Sequence, residues 1–119
     1  MQWYLTKIIY QIICKGELHL PQFDEQLRII CAEDDLHAFQ KARLLGEKEE
    51  DYFLNKGEKP VIWKFIDVSE IHPLNELLDG AEMYSRIKEE DDAETFIHVT
   101  KLRASHLLEN CTHQSIRLN

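Results

Sequence analysis

Glycine and proline are scarce, with four and three in 119 residues. Phosphate-cradling loops need glycines close together so that the backbone can approach the anion. The scattered glycines here leave no Gly-rich phosphate loop and no dinucleotide fingerprint. The three cysteines, Cys14, Cys31 and Cys111, are an odd number without close spacing. That excludes a Cys-x-x-Cys pair and points to reduced thiols, with Cys14 and Cys31 read as small core residues in apolar strands. No apolar run approaches the ~20 residues that cross a bilayer. Strand-forming residues begin already at Trp3 with no secretory leader before them, so a cytoplasmic protein is expected. Basic residues are outnumbered, 14 against 22 acidic, for a formal charge of −8. Nucleic acid and anionic membrane surfaces are bound by Lys and Arg, so neither is an expected partner. The same balance permits a basic protein partner.

What is present suits a folded domain. A composition of 44% hydrophobic and 30% charged residues supports a packed core rather than disorder, and the length fits one domain over 1–119. Residues 3–14 are rich in β-branched and aromatic side chains and read as a long strand. Lys15-Gly16 and Pro21 mark a connection to a second strand at 23–32, giving a hairpin. In that strand Phe23, Glu25, Leu27, Ile29 and Cys31 share one face, and Asp24, Gln26, Arg28 and Ile30 the other. Asp34 or Asp35 caps a helix whose inward stripe is Leu36, Ala38, Phe39, Ala42 and Leu45, and which Gly46 weakens or ends.

Tyr52-Phe53-Leu54, followed by a turn at Asn55-Lys56-Gly57, can pair with the start of a third strand at 61–71. There Val61, Trp63 and Phe65 face one way and Ile62, Lys64, Ile66 and Val68 the other, while Asp67 marks a bulge or the strand's end. A helical turn is expected at 75–78, a turn at Asp79-Gly80, and a fourth strand at 81–87. A second capped helix is expected over about 91–110, burying Ala93, Phe96, Val99 or Thr100, and Leu107, with a fraying tail from Cys111.

The pattern Glu-Asp-Asp-x-x-x-Phe occurs at 33–39 and again at 90–96, 57 positions apart. Each copy follows a strand-like stretch holding an acid and an arginine, Glu25 with Arg28 and Glu82 with Arg86. An internal repeat of about 3–46 and 61–107 follows. The expected fold is α+β: two ββα units (ββαββα) forming a four-stranded, mainly antiparallel sheet with both helices packed on one face. The first and third strands are apolar on both faces, as at Ile8 with Ile9 and Phe65 with Ile66. A sheet covered on one side only should alternate. The second face therefore needs a cover: a second copy, a partner, a ligand, or the loop 47–60. A homodimer through the open sheet face is the expectation.

Chemistry-bearing groups form no catalytic set. Glu94 and His98 share a helix face and Cys111 neighbours His113, but neither pair is a metal signature, and no metal, cofactor or catalytic residue is expected. The paired aspartates sit where helices start and read as caps rather than acid–base groups. Arg28 and Arg86, 58 apart, should point away from the helices. They would meet an anionic ligand or a partner's carboxylates, or pair with Glu25 and Glu82. Trp63 is a core residue or an interface anchor, and Tyr84 joins it among the candidates for the second face.

Trp3-Tyr4-Leu5-x-Lys7-Ile8, Pro21-Gln22-Phe23-Asp24-Glu25-Gln26-Leu27-Arg28, Asn55-x-Gly57-Glu58, Trp63-Lys64-Phe65 and Asp79-Gly80-Ala81-Glu82-Met83-Tyr84-Ser85-Arg86 form a set. Together they resemble a bacterial family catalogued as a domain of unknown function, number 4288, from Trp3 to about His106. The family has no established activity, so the resemblance transfers no catalytic residue. It implies a small stand-alone bacterial cytoplasmic protein. The expected function is a non-enzymatic module that binds protein or homo-oligomerises, immunity- or antitoxin-like in one version. The alternative is a small-molecule or anion-binding regulatory domain, with an enzyme ranked third.

Overall fold

A computed structural model describes residues 1–16 and 19–118, with side chains up to residue 112. The chain forms two compact units, Met1–Ser85 and Arg86–Asn119. Among the described residues no helix is long and apolar enough to cross a membrane.

The first unit is an antiparallel sheet of β1 (Gln2–Cys14), β2 (Gln22–Ala32), β3 (Asp51–Leu54) and β4 (Pro60–Pro73), with α1 (Asp35–Lys48) between β2 and β3. The order across the sheet is β2-β1-β4-β3. β1 is central because it is apolar on both faces and can be covered on both; Ile8 and Tyr10 are almost fully buried. The class is therefore α+β with a four-stranded antiparallel sheet, as the sequence predicts, but the fourth strand is β3 and not 81–87, which carries no strand structure. Proximity along the chain explains the difference. β3 reaches β4 through a short turn, with Leu54 opposite Pro60 and Asp51 opposite Trp63, and a short loop costs little entropy to close. The turn is held by Asn55, whose side-chain oxygen accepts from the backbone N–H of Gly57 (2.9 Å) and of Lys59 (3.0 Å). The helical turn expected at 75–78 is absent, whereas Gly80 makes its turn with φ +86°.

Two extra residues in β4 alter its faces. Tyr10 opposes Phe65 while Ile9 opposes Asp67, and Ile8 opposes Val68 while Lys7 opposes Glu70. Ile66 and Ser69 are thereby skipped. Each skip reverses the alternation, so Val68 joins Phe65 on the α1 side instead of facing with Ile62 and Lys64. Asp67 stands at the first bulge, where its carboxylate accepts from Val68 N–H (2.7 Å) and from Arg43 Nε and Nη2 (3.0 Å each).

Asp34 caps α1: its carboxylate accepts from His37 N–H at 2.8 Å, and His37 Nδ1 accepts in return from Glu33 N–H at 3.0 Å. The buried stripe is Ala38, Ala42 and Gly46; Ala38 and Ala42 pack with Tyr4, Ile30 and Ala32, joined by Leu45, Val68 and Ile71. Leu36, expected inside, is exposed. Gly46 does not end the helix, which runs on to Lys48. Its missing side chain admits the Phe65 ring.

The second unit holds α2 (Ala93–Leu118), capped by Asp92, which accepts from Thr95 N–H (3.3 Å) and Thr95 Oγ1 (2.6 Å). The helix continues where a fraying tail was expected, although the His113 side chain lies outside the described residues. Phe96, Val99 and Leu107 are exposed rather than buried, because this unit by itself offers them no second element.

Candidate functional site: a cleft of aromatic and acidic residues

α1 packs over the end of the sheet that carries Tyr4, Ile30 and Ala32. Toward the other end, Tyr10, Gln26, Arg28 and Trp63 line a cleft of about 460 Å³ together with Glu49, Asp51 and Phe53. Alternation along β2 puts Asp24, Gln26 and Arg28 on one face, opposite Tyr10, Ile8 and Thr6 of β1. A row of polar contacts then crosses the sheet. Trp63 Nε1 donates to Asp24 Oδ2 (3.1 Å), Gln26 Nε2 donates to the same oxygen (2.7 Å), and Arg28 donates to Gln26 Oε1 (3.0 Å). The row ends where Arg28 meets Glu49, at the C-cap of α1, at 2.6 Å.

The Phe53 ring stacks on Trp63 with centroids 5.6 Å apart, both reaching in from the β3–β4 hairpin. Tyr10 turns its hydroxyl out of the cleft to donate to the buried Gly46 carbonyl at 2.8 Å. Burial, and then the nearby Glu49, pushes the Tyr10 phenol pKa up. The hydrogen bond to Glu49 raises the Arg28 pKa, and the same bond lowers that of Glu49, so both stay charged. Arg28 is the one cation in the lining and is already neutralised; Asp51 in the lining and Asp24 beside Trp63 are the remaining charges.

Two expectations about Arg28 are therefore corrected. It lies on the α1 side of the sheet, and its partner is Glu49 rather than Glu25, which stands 3.9 Å from Lys7 instead. Strand alternation separates two faces but does not say which one a helix will cover. Here the more apolar face, with Phe23, Leu27 and Ile29 each more than half exposed, is the open one. The structure brings Arg28 and Trp63 into the cleft but places Tyr84 elsewhere. The Tyr84 hydroxyl donates to Glu70 at 3.2 Å and its ring meets His72 edge-on at 5.0 Å. Glu70 and His72 oppose Lys7 and Leu5, on the face away from α1. Lys7 binds Glu70 at 2.7 Å and, with His72, holds that carboxyl down to about 2. Ionised Glu70 can only accept, so His72 Nε2, 3.1 Å away, carries a proton. Part of the second face is thus covered by the chain's own 74–85 segment, not by 47–60. Arg86 belongs to the second unit, and the lining comes wholly from the first.

Glu49, Asp51, Phe53 and Tyr10 escaped sequence reasoning. The available signal was the polar face of β2, three alternating polar residues in a strand that otherwise could have been apolar there. Among the described residues no three potential metal ligands cluster.

No curated protein and no solved structure matches the chain. A family model does match, over residues 3–85, a span that closes with the first compact unit. All of the sheet but Gln2, together with α1 and the cleft, lies inside it, and α2 lies beyond. With more than half of its length matched, the chain belongs to the family described as a domain of unknown function (DUF4288).

Proposed function

We propose that this chain is a non-enzymatic binding module that docks a basic protein through the cleft. The observation that carries this reading is the stacked Phe53–Trp63 pair set among carboxylates, with the single cation of the lining already engaged by Glu49. A Lys or Arg side chain of the partner gains from an aromatic face and from nearby Asp51 and Asp24. The charge of −8 speeds encounter with such a partner. An immunity- or antitoxin-like protein that blocks a basic enzyme is one form of this function. The anion-binding alternative is disfavoured, because an anion at Arg28 must first displace a carboxylate held at 2.6 Å. The module also self-associates, a reading supported by the uncovered Phe23, Leu27 and Ile29.

Calorimetric titration with a lysine- and arginine-rich peptide, an acidic peptide and inorganic phosphate tests the cleft. The basic peptide should bind, about tenfold more weakly to Trp63→Leu, the scale of a lost cation–π contact, and unchanged to Tyr84→Phe. Phosphate binding lost in Arg28→Gln would favour the anion reading instead, and no heat from the basic peptide would remove the proposal.

A further inference from the structure

Among the described residues of the first unit no strand pairs with the outer edge of β2, and this edge is built unlike the one at the other side of the sheet. β3, the opposite edge, has four residues, too short to template much pairing. β2 has 11, in unbroken register with β1 from Gln22 opposite Ile12 to Ala32 opposite Gln2. It contains no proline, no lysine and no bulge, three of the devices by which natural edge strands avoid pairing. Its charges, Asp24, Glu25 and Arg28, restrict which pairing is possible, and Lys41 of α1 donates to the Cys31 carbonyl at 2.6 Å near the end of the strand. Beside it Trp3, Ile29, Cys31, Lys41 and Leu45 border a mainly apolar notch of about 320 Å³.

We infer that a second copy of the chain pairs with this edge, β2 against β2 about a two-fold axis centred on Gln26, to continue the sheet across both molecules. The inference rests on the self-association reading and fixes where it occurs. In such an isologous contact residue i meets residue j and j meets i, and directly opposed residues point to the same face. Only certain centres are then compatible with the charges of β2. A centre at Asp24, Glu25 or Arg28 sets that residue against its own copy, like charge on like. A centre at Leu27 puts Asp24 opposite Ile30 and Glu25 opposite Ile29 and makes no ion pair.

A centre at Gln26 places Arg28 opposite Asp24 of the second copy, twice by symmetry, with no like charges opposed. Arg28 has five donors and Asp24 a carboxylate with free lone pairs, so each keeps its own contact, to Glu49 and to Trp63. The same register sets Ile29 opposite Phe23 of the second copy, and brings that copy's Leu20 alongside the notch. Phe23 and Leu20 are 54% and 85% exposed, and pairing would remove both from water.

Light scattering after gel filtration over a wide concentration range gives the mass, and Gln26→Cys gives the register. With Cys14, Cys31 and Cys111 changed to serine, Gln26→Cys should form an intermolecular disulfide on mild oxidation, because the two-fold sets its Cβ about 5 Å from its copy. Glu58→Cys, on the β3–β4 turn, should not. Asp24→Arg should raise the dimer dissociation constant about tenfold or more by opposing Arg28, and adding Arg28→Asp should restore it. A protein that stays monomeric removes both the inference and the self-association reading. A dimer that does not cross-link at position 26 removes the inference alone. Cross-linking needs no loss of stability, so it decides the matter even if the charge variants fold poorly.

Discussion

Gly46 and Phe65 share one space. A Cβ built on Gly46 would overlap the Phe65 ring, and that ring is itself held edge-on against Tyr10, with centroids 5.9 Å apart. Because Tyr10 also donates to the Gly46 carbonyl at 2.8 Å, three residues from α1, β1 and β4 meet at one point beneath the cleft. Gly46→Ala should gain roughly 1 kcal/mol of helix propensity yet lose more through overpacking, for a net destabilisation of about 1–2 kcal/mol. Urea unfolding checks this. A variant as stable as the parent would show that Phe65 swings aside freely.

The cap of α1 gives a second prediction. Asp34 acts through a hydrogen-bonding oxygen aimed at His37 N–H. Asp34→Asn keeps that oxygen and should change stability little, while Asp34→Ala should cost about 1 kcal/mol. Equal losses for the two would mean that charge at the helix start, rather than the hydrogen bond, is what matters.

Features fixed by neighbours in the chain were legible in the sequence. A cap at Asp34 or Asp35, the first hairpin, a pairing of Tyr52-Phe53-Leu54 with the next strand, and a bulge or strand end at Asp67 all depend on short-range spacing and turn chemistry. What was not legible depended on contacts between distant segments. Alternation in β2 separated Arg28 from Leu27, but the choice of face was made by α1, which takes Ile30 and leaves Leu27 in the open. Val68 was assigned by simple alternation, and the skipped Ile66 overturned it. The segment 81–87 has a strand-like composition, yet the local hairpin of β3 and β4 already fills that place in the sheet. Of the candidate residues, Arg28 and Trp63 meet in the cleft, but the partners that define its chemistry, Glu49 and Asp51, follow α1 and could be placed there only by the fold. Even the repeated motif carries a lesson. Its copies lie 57 apart, whereas the capping residues Asp34 and Asp92 lie 58 apart, so each copy uses a different aspartate of its pair.

Acid should expose the cluster on the other face of the sheet. Lys7, then His72, hold the Glu70 carboxyl at about 2 rather than 4.5. A group whose pKa falls on folding adds stability that is fully present above its unfolded value and lost as pH drops through its folded one. The contribution of Glu70 should therefore be intact at neutral pH, decline below about pH 4.5 and vanish near pH 2. Glu49, Asp67 and Asp92 are lowered too, so the parent alone will lose stability in acid for several reasons. The informative quantity is the difference between the parent and Glu70→Gln, which lacks the titration. Their urea midpoints should differ at neutral pH, with the parent more stable, and converge as pH approaches 2. The alkaline side has the opposite sign. The Lys7 pKa is raised chiefly by Glu70, so its contribution is present below 10.5 and fades as pH rises beyond it. A midpoint difference that stays constant down to pH 2 would mean that Glu70 acts through packing of Tyr84 and His72 rather than through its charge.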